Sequence, residues 1–191
     1  DTGFSMDVTN FLQPELVEVN RLPARQPLAS YANVEQARRG ASRFRRSLDG
    51  TWRFKLVDSP SSAPRRWHHP ATNDSRWTTI TVPGVWTRQG FADLPHYTNV
   101  VMPWKGKEPP YVPDQNPTGL YRTTFTVPRN WRSRDVLVHL GGAESLAAVW
   151  CNGEFVGMGK DSRLPSEFDL SPFITQGDNL LAVMVIRWSD A

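Results

Sequence analysis

The sequence predicts an all-β fold, a jelly-roll antiparallel β-sandwich preceded by an irregular amino-terminal arm. From residue 48 onward, short segments alternate apolar and polar side chains with the period of a strand. The chain contains sixteen prolines, most of them between these segments, and no helical stripe of apolar residues is longer than two turns. A chain of 191 residues is long enough for one such domain with a sizeable core. An isolated immunoglobulin-like sandwich is the alternative fold.

The arm covers residues 1–46, where strand alternation is weak and several prolines occur. We expect it to run over the surface of a larger body. Asn33 followed by Gln36 fits a capping box, and Gly40 can end a helix in the left-handed conformation. The arm is therefore predicted to contain one short helix over 34–39, ahead of a β-sandwich domain over 47–191.

Half-buried strands are predicted where the alternation is clearest. In 51–57, for example, Trp52 and Phe54 point to one face and Arg53 to the other. The same pattern predicts strands at 78–82, 121–127 and 136–140.

Three further segments have a pattern of their own. Asn152-Gly153 lies between two apolar runs within 147–157, which predicts a hairpin with a type I′ turn. The segment 179–188 is apolar almost throughout and is expected to be covered on both faces. The proline-rich stretches 103–117 and 164–172 are expected to be loops or edges.

Apolar run length, cysteine content and net charge limit the possible functions and cellular locations of the chain. The longest apolar run, Leu180–Ile186, is far shorter than the roughly 20 residues of a membrane-spanning helix, and no secretory signal opens the chain. The single Cys151 needs no oxidising compartment, so a cytoplasmic location is expected. The net charge of +3 does not demand a polyanionic partner. The chain does not begin with Met and stops just after an apolar strand, so it is interpreted as an excised piece.

Six sequence blocks follow one another in a characteristic order and spacing. They are Pro95–Val100, Asn116–Arg122, Gly141–Ser145, Trp150–Gly153, Asp161–Leu170 and Arg187–Asp190. Together, rather than through any one block, they resemble the sugar-binding domain of family 2 glycoside hydrolases of the β-galactosidase type, and the resemblance extends over nearly the whole chain from about Asn20.

The resemblance implies a non-catalytic domain that precedes an immunoglobulin-like domain and a (β/α)₈ barrel. The barrel carries the two catalytic glutamates of a retaining enzyme, so no catalytic residue is expected in this chain and the chain alone should be inactive. The parent is expected to hydrolyse terminal β-D-galactosides, to use sodium and magnesium, and to be a homo-oligomer. The chain alone is expected to bind no cofactor.

The resemblance also assigns site residues. It implies that Asn99 and Asp190 contact hydroxyls of the galactosyl unit, since an amide donates and accepts whereas a carboxylate is a strong acceptor. Asp190 would also be a sodium ligand, shared with an absent domain. Val100 and Trp104 are secondary candidates for the sugar site. Without the resemblance, Asn99 would be interpreted as stabilising its own turn, and Asp190 as a solvated residue at a strand end.

Other chemically suggestive residues are interpreted as structural. The acidic segment 161–169 is expected to brace a loop around Arg163, and His68-His69 is expected to be a wet loop rather than a metal site. Most tryptophans are expected in the core or at interfaces. This applies to Trp52, Trp77, Trp86, Trp150 and Trp188.

Two alternative functions are compatible with parts of the sequence. A stand-alone carbohydrate-binding module would have the same fold and would bind sugar without other domains. Nucleic-acid binding would use the basic cluster at 38–46, but no recognisable reading element accompanies it, so the arginines are expected to face solvent or absent domains. Galactoside substrate and the parent's remaining domains are the expected partners, with no nucleic acid or membrane.

Overall fold

The computed structural model describes residues 11, 13–26, 29–97, 99, 103–108, 110–131 and 133–190. These residues form nine strands and one α-helix, so the all-β prediction is confirmed. No helix among them is long and apolar enough to cross a membrane. In chain order the elements are β1 (Glu18–Val19), α1 (Val34–Arg39), β2 (Gly50–Val57), β3 (Thr78–Val82), β4 (Thr118–Thr126), β5 (Leu137–Leu140), β6 (Leu146–Cys151), β7 (Glu154–Lys160), β8 (Ser166–Asp169) and β9 (Asp178–Ile186).

Seven of the strands form one antiparallel sheet in the order β1-β7-β6-β9-β4-β2-β3. The two longest strands, β4 and β9, pair over their full length from Thr118–Ile186 to Thr126–Asp178. β5 and β8 form a separate two-stranded sheet, in which Val138 pairs with Phe168. The site described below lies at the end of the large sheet where β4 begins and β9 ends.

One face of the large sheet packs against the small sheet. Phe168 of β8 and Val138 of β5 are buried in this cluster, together with aromatic side chains of β2 and β4. The Phe54 and Tyr121 rings contact edge to face, with centroids 4.8 Å apart. Each fully buried large apolar side chain stabilises the fold by about 1.5–3 kcal/mol.

The opposite face is covered by the arm and by a long loop rather than by a sheet. Phe11 of the arm is fully buried, and Trp67 of the loop 58–77 packs edge to face on Trp150 at 5.2 Å. Because both faces are covered, β9 is almost entirely buried, which confirms the prediction for 179–188. The structural role predicted for the tryptophans is also confirmed for those that are buried, namely Trp52, Trp86, Trp150 and Trp188.

The predicted turn and helix are both present. Asn152 and Gly153 have φ values of 52° and 91°, so the hairpin between β6 and β7 is confirmed. Asn33 caps α1 by accepting a hydrogen bond from the Gln36 backbone N–H at 2.9 Å, and Gly40 ends the helix at φ 65°. The Gln36 side chain accepts from the N–H of the residue before the cap, one position earlier than a capping box requires.

Arg122 fastens the loop 58–77 to the large sheet. Its side chain is buried on β4, and its Nε donates to Asp74 Oδ2 at 2.8 Å. The guanidinium also donates to the backbone carbonyls of Trp67, His69 and Thr72. These bonds satisfy loop carbonyls that would otherwise be buried without partners.

Replacing Arg122 by Met is expected to lower the free energy of unfolding by about 2–4 kcal/mol, because the half-buried Asp74 carboxylate and the loop carbonyls lose their partner. Arg53 is the matched control, since it pairs with Arg122 in the β2–β4 register but is exposed. Arg53→Met is expected to change stability by less than about 0.5 kcal/mol. Urea denaturation measures both, and equal effects would contradict the role assigned to Arg122.

Candidate functional site

The segment 187–190 continues from β9 and is held in place by Asn116. The buried Asn116 amide donates to the Trp188 carbonyl at 2.8 Å and accepts from the Trp188 N–H at 2.9 Å. The Arg187 N–H donates to the Pro117 carbonyl at 3.1 Å. The backbone leading to Asp190 is therefore fixed although it lies beyond the last sheet pair.

Asp190 forms a buried ion pair with Lys160, the last residue of β7. Lys160 Nζ lies 2.6 Å from Asp190 Oδ1, and the two side chains are 0% and 10% exposed respectively. The same ammonium donates to the Gln13 carbonyl of the arm at 2.7 Å. The alternative interpretation of Asp190 as a solvated residue at a strand end is therefore wrong.

Arg187 connects the Asp190 segment to the loop that carries Asn99. Its guanidinium pairs with the Asp93 carboxylate, donates to the Leu94 carbonyl at 3.0 Å and lies 3.3 Å from His96 Nδ1. The second oxygen of Asp93 accepts from Trp86 Nε1 at 2.6 Å. Through these contacts the residues just before Asn99 are fastened to the end of the sheet.

Aromatic packing around Trp188 holds the loop on both sides of Asn99. The His96 ring and the Trp104 ring each meet Trp188 edge to face, with centroids 5.5 Å and 5.0 Å away. The Arg187 guanidinium lies 4.7 Å from the centre of the Trp188 ring. Trp104 is half-buried by this packing.

The remaining predicted site residues lie on the loop itself. Asn99 is an exposed turn residue, and Val100 lies outside the described residues. Leu94 and Tyr97, which lie three residues apart on the loop, are each 76% exposed. The loop is therefore held to the sheet through Arg187 and Trp188, while polar and apolar side chains on it are exposed.

Sequence reasoning did not single out Lys160 or Asn116. Lys160 is a single lysine at the end of an apolar run, a pattern that fits an ordinary strand end. Its partner Asp190 is thirty residues away, and only the alignment of β7 with β6 and of β6 with β9 brings the two together. Asn116 belongs to a motif of the resemblance, but its bonds to Trp188 depend on the β4–β9 register.

Only residues 161–165 of the acidic segment 161–169 form a braced loop as expected, because 166–169 are strand β8, and the cations that brace the segment come from the arm. Asp161 Oδ1 accepts from the N–H groups of Arg163 and Leu164, each at 3.0 Å, while its Oδ2 lies 3.4 Å from Arg21. The backbone hydrogen bonds, first that from Arg163 and then that from Leu164, lower the pKa of Asp161, and Arg21 adds to this shift.

Glu167 receives a second arm cation. Its Oε2 accepts from Arg25 at 2.8 Å, and its Oε1 lies 3.2 Å from His139 Nδ1. Arg163 is exposed, and no ion pair among the described residues includes it. The prediction that Arg163 is the centre of this network was wrong, because sequence proximity favoured it over Arg21 and Arg25.

Other chemically suggestive side chains are used in packing. His68 stacks on Trp150 with centroids 5.2 Å apart, and burial lowers its pKa. His69 Nδ1 accepts from the Ala71 N–H. Burial raises the pKa of the Cys151 thiol to about 11, which disfavours the nucleophilic thiolate. Within the described ranges, no group of three or more His, Cys, Asp or Glu could hold a metal ion.

Comparison with known proteins relates this fold to glycoside hydrolases. Residues 45–191 match the family model for the sugar-binding domain of glycosyl hydrolases family 2. A β-galactosidase of Photobacterium profundum is 47% identical over 177 residues, and one of Vibrio cholerae is 42% identical over 177 residues. Each match covers 93% of this chain, whereas the chain spans only 17% of the length of these curated relatives.

Solved structures with a similar fold include bacterial β-glucuronidases. The Bifidobacterium dentium enzyme in complex with coumarin-3-O-glucuronide has a TM-score of 0.54 at 24% identity, covering 73% of this chain and 19% of that chain. A Ruminococcus gnavus β-glucuronidase in complex with D-glucuronic acid has a TM-score of 0.55 at 20% identity, covering 74% and 21%. At these identities the likeness concerns the fold alone.

The lowered pKa of Asp161 predicts a pH-dependent contribution to stability. The ionised carboxylate stabilises the fold above the unfolded-state pKa of about 3.9, and this contribution is lost as the pH falls through that value toward the lower folded-state pKa. Asp161→Asn is therefore expected to be less stable than the original chain at pH 7, and the difference is expected to shrink as the pH falls below about 3.9. Thermal unfolding across this range, with the exposed Asp49→Asn as control, measures the difference, and a gap that is independent of pH would contradict it.

Proposed function

We propose, from the premise that this chain belongs to the sugar-binding domains of glycosyl hydrolase family 2, that it is the non-catalytic galactosyl-contacting domain of a β-galactosidase. The observation that carries the proposal is the fixed carboxylate of Asp190. Its described contact engages Oδ1 through Lys160, which leaves Oδ2 as an acceptor for a sugar hydroxyl.

The chemistry of the two candidate residues suits a sugar. Hydroxyl groups donate strongly to an ionised carboxylate, and an amide such as Asn99 can donate to one hydroxyl while accepting from another. Arg187 ties the loop of Asn99 to the segment of Asp190. In this proposal the two residues form one side of the sugar cleft, and Val100 and Trp104 are secondary contacts beside them.

The proposal assigns bond cleavage to parts of the enzyme outside this chain. Retaining glycosidases need two carboxyl groups about 5 Å apart on either side of the scissile bond. Two carboxylates are described around this site. Asp93 is paired with Arg187 and Asp190 with Lys160, which suits positioning rather than proton transfer. The galactosyl unit would therefore be held here and cleaved by another domain.

The exposed apolar residues near the site support docking onto the remaining domains of the parent. Leu94, Tyr97 and Tyr111 are 69–76% exposed, and they belong to the same region of chain as Asn99. Such side chains on a surface favour an interface. In this proposal the partners are those domains and a galactoside, and the parent is a cytoplasmic homo-oligomer. The buried Cys151, which needs no oxidising compartment, supports that location.

Sodium fits the Asp190 site only in part. Carboxylate oxygens suit a hard cation, but the Lys160 ammonium already lies 2.6 Å from Oδ1 and would repel a second positive charge. We propose that this chain contributes at most Asp190 Oδ2 to a sodium site of the parent. No described residue of this chain is proposed as a magnesium ligand.

In the longer enzyme, Asn99→Ala and Asp190→Asn are each expected to lower kcat/KM. The loss of a hydrogen bond to a charged group is worth about 1.5–3 kcal/mol, or roughly a 10- to 100-fold decrease for Asp190, with a smaller effect for Asn99. Asn130→Ala and Asp178→Asn are matched controls on exposed residues at the opposite end of β4 and β9. Kinetics equal to those of the controls would remove both residues from the site.

The chain alone is expected not to hydrolyse a chromogenic β-galactoside under conditions in which the longer enzyme does. Galactose titrated into the chain alone, followed by calorimetry, is expected to give no measurable binding, because the chain supplies only one side of the cleft. Turnover by the chain alone would contradict the proposed division of labour. Binding without turnover would instead favour a stand-alone carbohydrate-binding module.

A further inference from the structure

We propose that Lys160 is a positioning residue that sets the orientation of the Asp190 carboxylate for its sugar contact. This inference rests on the proposed function, because it takes Asp190 as the residue that meets the galactosyl unit. Neither the position of Lys160 in its strand nor its sequence neighbours indicate this role for the buried cation.

The backbone of Lys160 is fixed at the end of β7. Its N–H donates to the Val17 carbonyl at 3.0 Å, and in the sheet it pairs with Leu146 of β6. On the other side of β6, the same Leu146 pairs with Ile186, the last residue of β9. The Lys160 backbone is therefore held in the sheet, two strands away from the segment that ends in Asp190.

The ammonium is equally constrained. The Lys160 side chain is 0% exposed, and its Nζ lies 2.6 Å from Asp190 Oδ1 and 2.7 Å from the Gln13 carbonyl. Removing a charge from water costs several kcal/mol unless a partner compensates for it. An ammonium that is fully buried has no alternative solvated position, so its two acceptors determine where it lies.

In this arrangement the two oxygens of the Asp190 carboxylate have different roles. Oδ1 accepts the charge-assisted bond from Lys160, and the direction of that bond determines where Oδ2 points. The backbone at Trp188 is held separately by Asn116. The chain is thus fixed by Asn116, whereas the carboxylate orientation is fixed by Lys160. A displacement of about 1 Å at a substrate-positioning group can cost as much as 100-fold in rate.

Lys160 also connects the arm to the site. The carbonyl of Gln13 is the second acceptor of the ammonium, and Phe11, two residues earlier, is buried against the sheet. The arm covers the ammonium from solvent on this side. The strength of the Lys160–Asp190 bond therefore depends on the arm remaining in place, since water would weaken the interaction.

A double-mutant cycle in the longer enzyme tests the inference. Lys160→Met removes the donor at similar length, and Asp190→Asn removes the charge of its partner. We expect kcat/KM to fall about 10-fold in Lys160→Met, as is usual for a residue that orients a ligand-contacting group. In the Asp190→Asn background, the same Lys160→Met change should alter kcat/KM by less than about 2-fold, because the carboxylate whose charge-assisted sugar contact Lys160 orients is already absent.

Lys160→Gln separates positioning from stability. Its amide retains a hydrogen-bond donor, so it is expected to keep more of kcat/KM than Lys160→Met, even if both variants unfold at a lower temperature. If Lys160→Met does not fold, the Lys160→Gln variant and the double variant, which leaves no buried unpaired charge, still complete the comparison. All kinetics are measured well below the unfolding midpoint of each variant.

The outcomes are distinguishable. Equal losses of kcat/KM from the Lys160 change in both backgrounds, or unchanged kcat/KM in all Lys160 variants, would overturn the positioning role and leave the sugar contact of Asp190 intact. Unchanged kcat/KM in Asp190→Asn itself would overturn the proposed function. A loss in Lys160→Met that disappears in the Asp190→Asn background supports both.

Discussion

The large sheet is apolar on both faces, and covering the second face is the constraint on which the rest of the structure depends. β5 and β8 cover one face as a regular layer, whereas the other is covered by irregular chain that carries Phe11 and Trp67. Irregular chain brings carbonyls into the interior without sheet partners. Two buried cations, Arg122 and Lys160, donate to such carbonyls, so the covering segments are held by polar bonds as well as by apolar contact.

At one end of the sheet, the candidate site is held in the same way, by hydrogen bonds from polar side chains to segments outside the regular sheet. Asn116, Lys160 and Arg187 each bond a segment that has left the regular ladder, and together they fix the chain on which Asp190 lies and the loop that leads to Asn99. A sugar contact gains from this rigidity, because less conformational freedom is lost when the ligand binds. Stability of the covering layer and preparation of the site are therefore consequences of the same buried polar groups.

The sequence predicted regular elements better than it predicted the covering layer. Alternation located β3 at its observed residues, and Asn152-Gly153 identified the hairpin, because these signals are local. The pairing of Lys160 with Asp190 depends on the register of three strands, and the burial of Phe11 depends on a surface that no local pattern describes. Asn99 and Asp190 came from a resemblance, since neither residue has a local signal that separates it from an ordinary loop residue.

The family match and the matches to individual relatives cover different parts of the chain. The family match begins at residue 45, after almost all of the arm, whereas the β-galactosidase matches cover 93% of the chain and therefore include most of the arm. The arm supplies Phe11, the Gln13 carbonyl and the cations Arg21 and Arg25 that brace the loop after β7. Lys160 lies between this arm and Asp190, so the arm is in direct contact with the residue that holds the candidate sugar contact. What covers the sheet can thus affect the candidate site, because the covering arm contacts the charged group that orients Asp190 at the sheet edge.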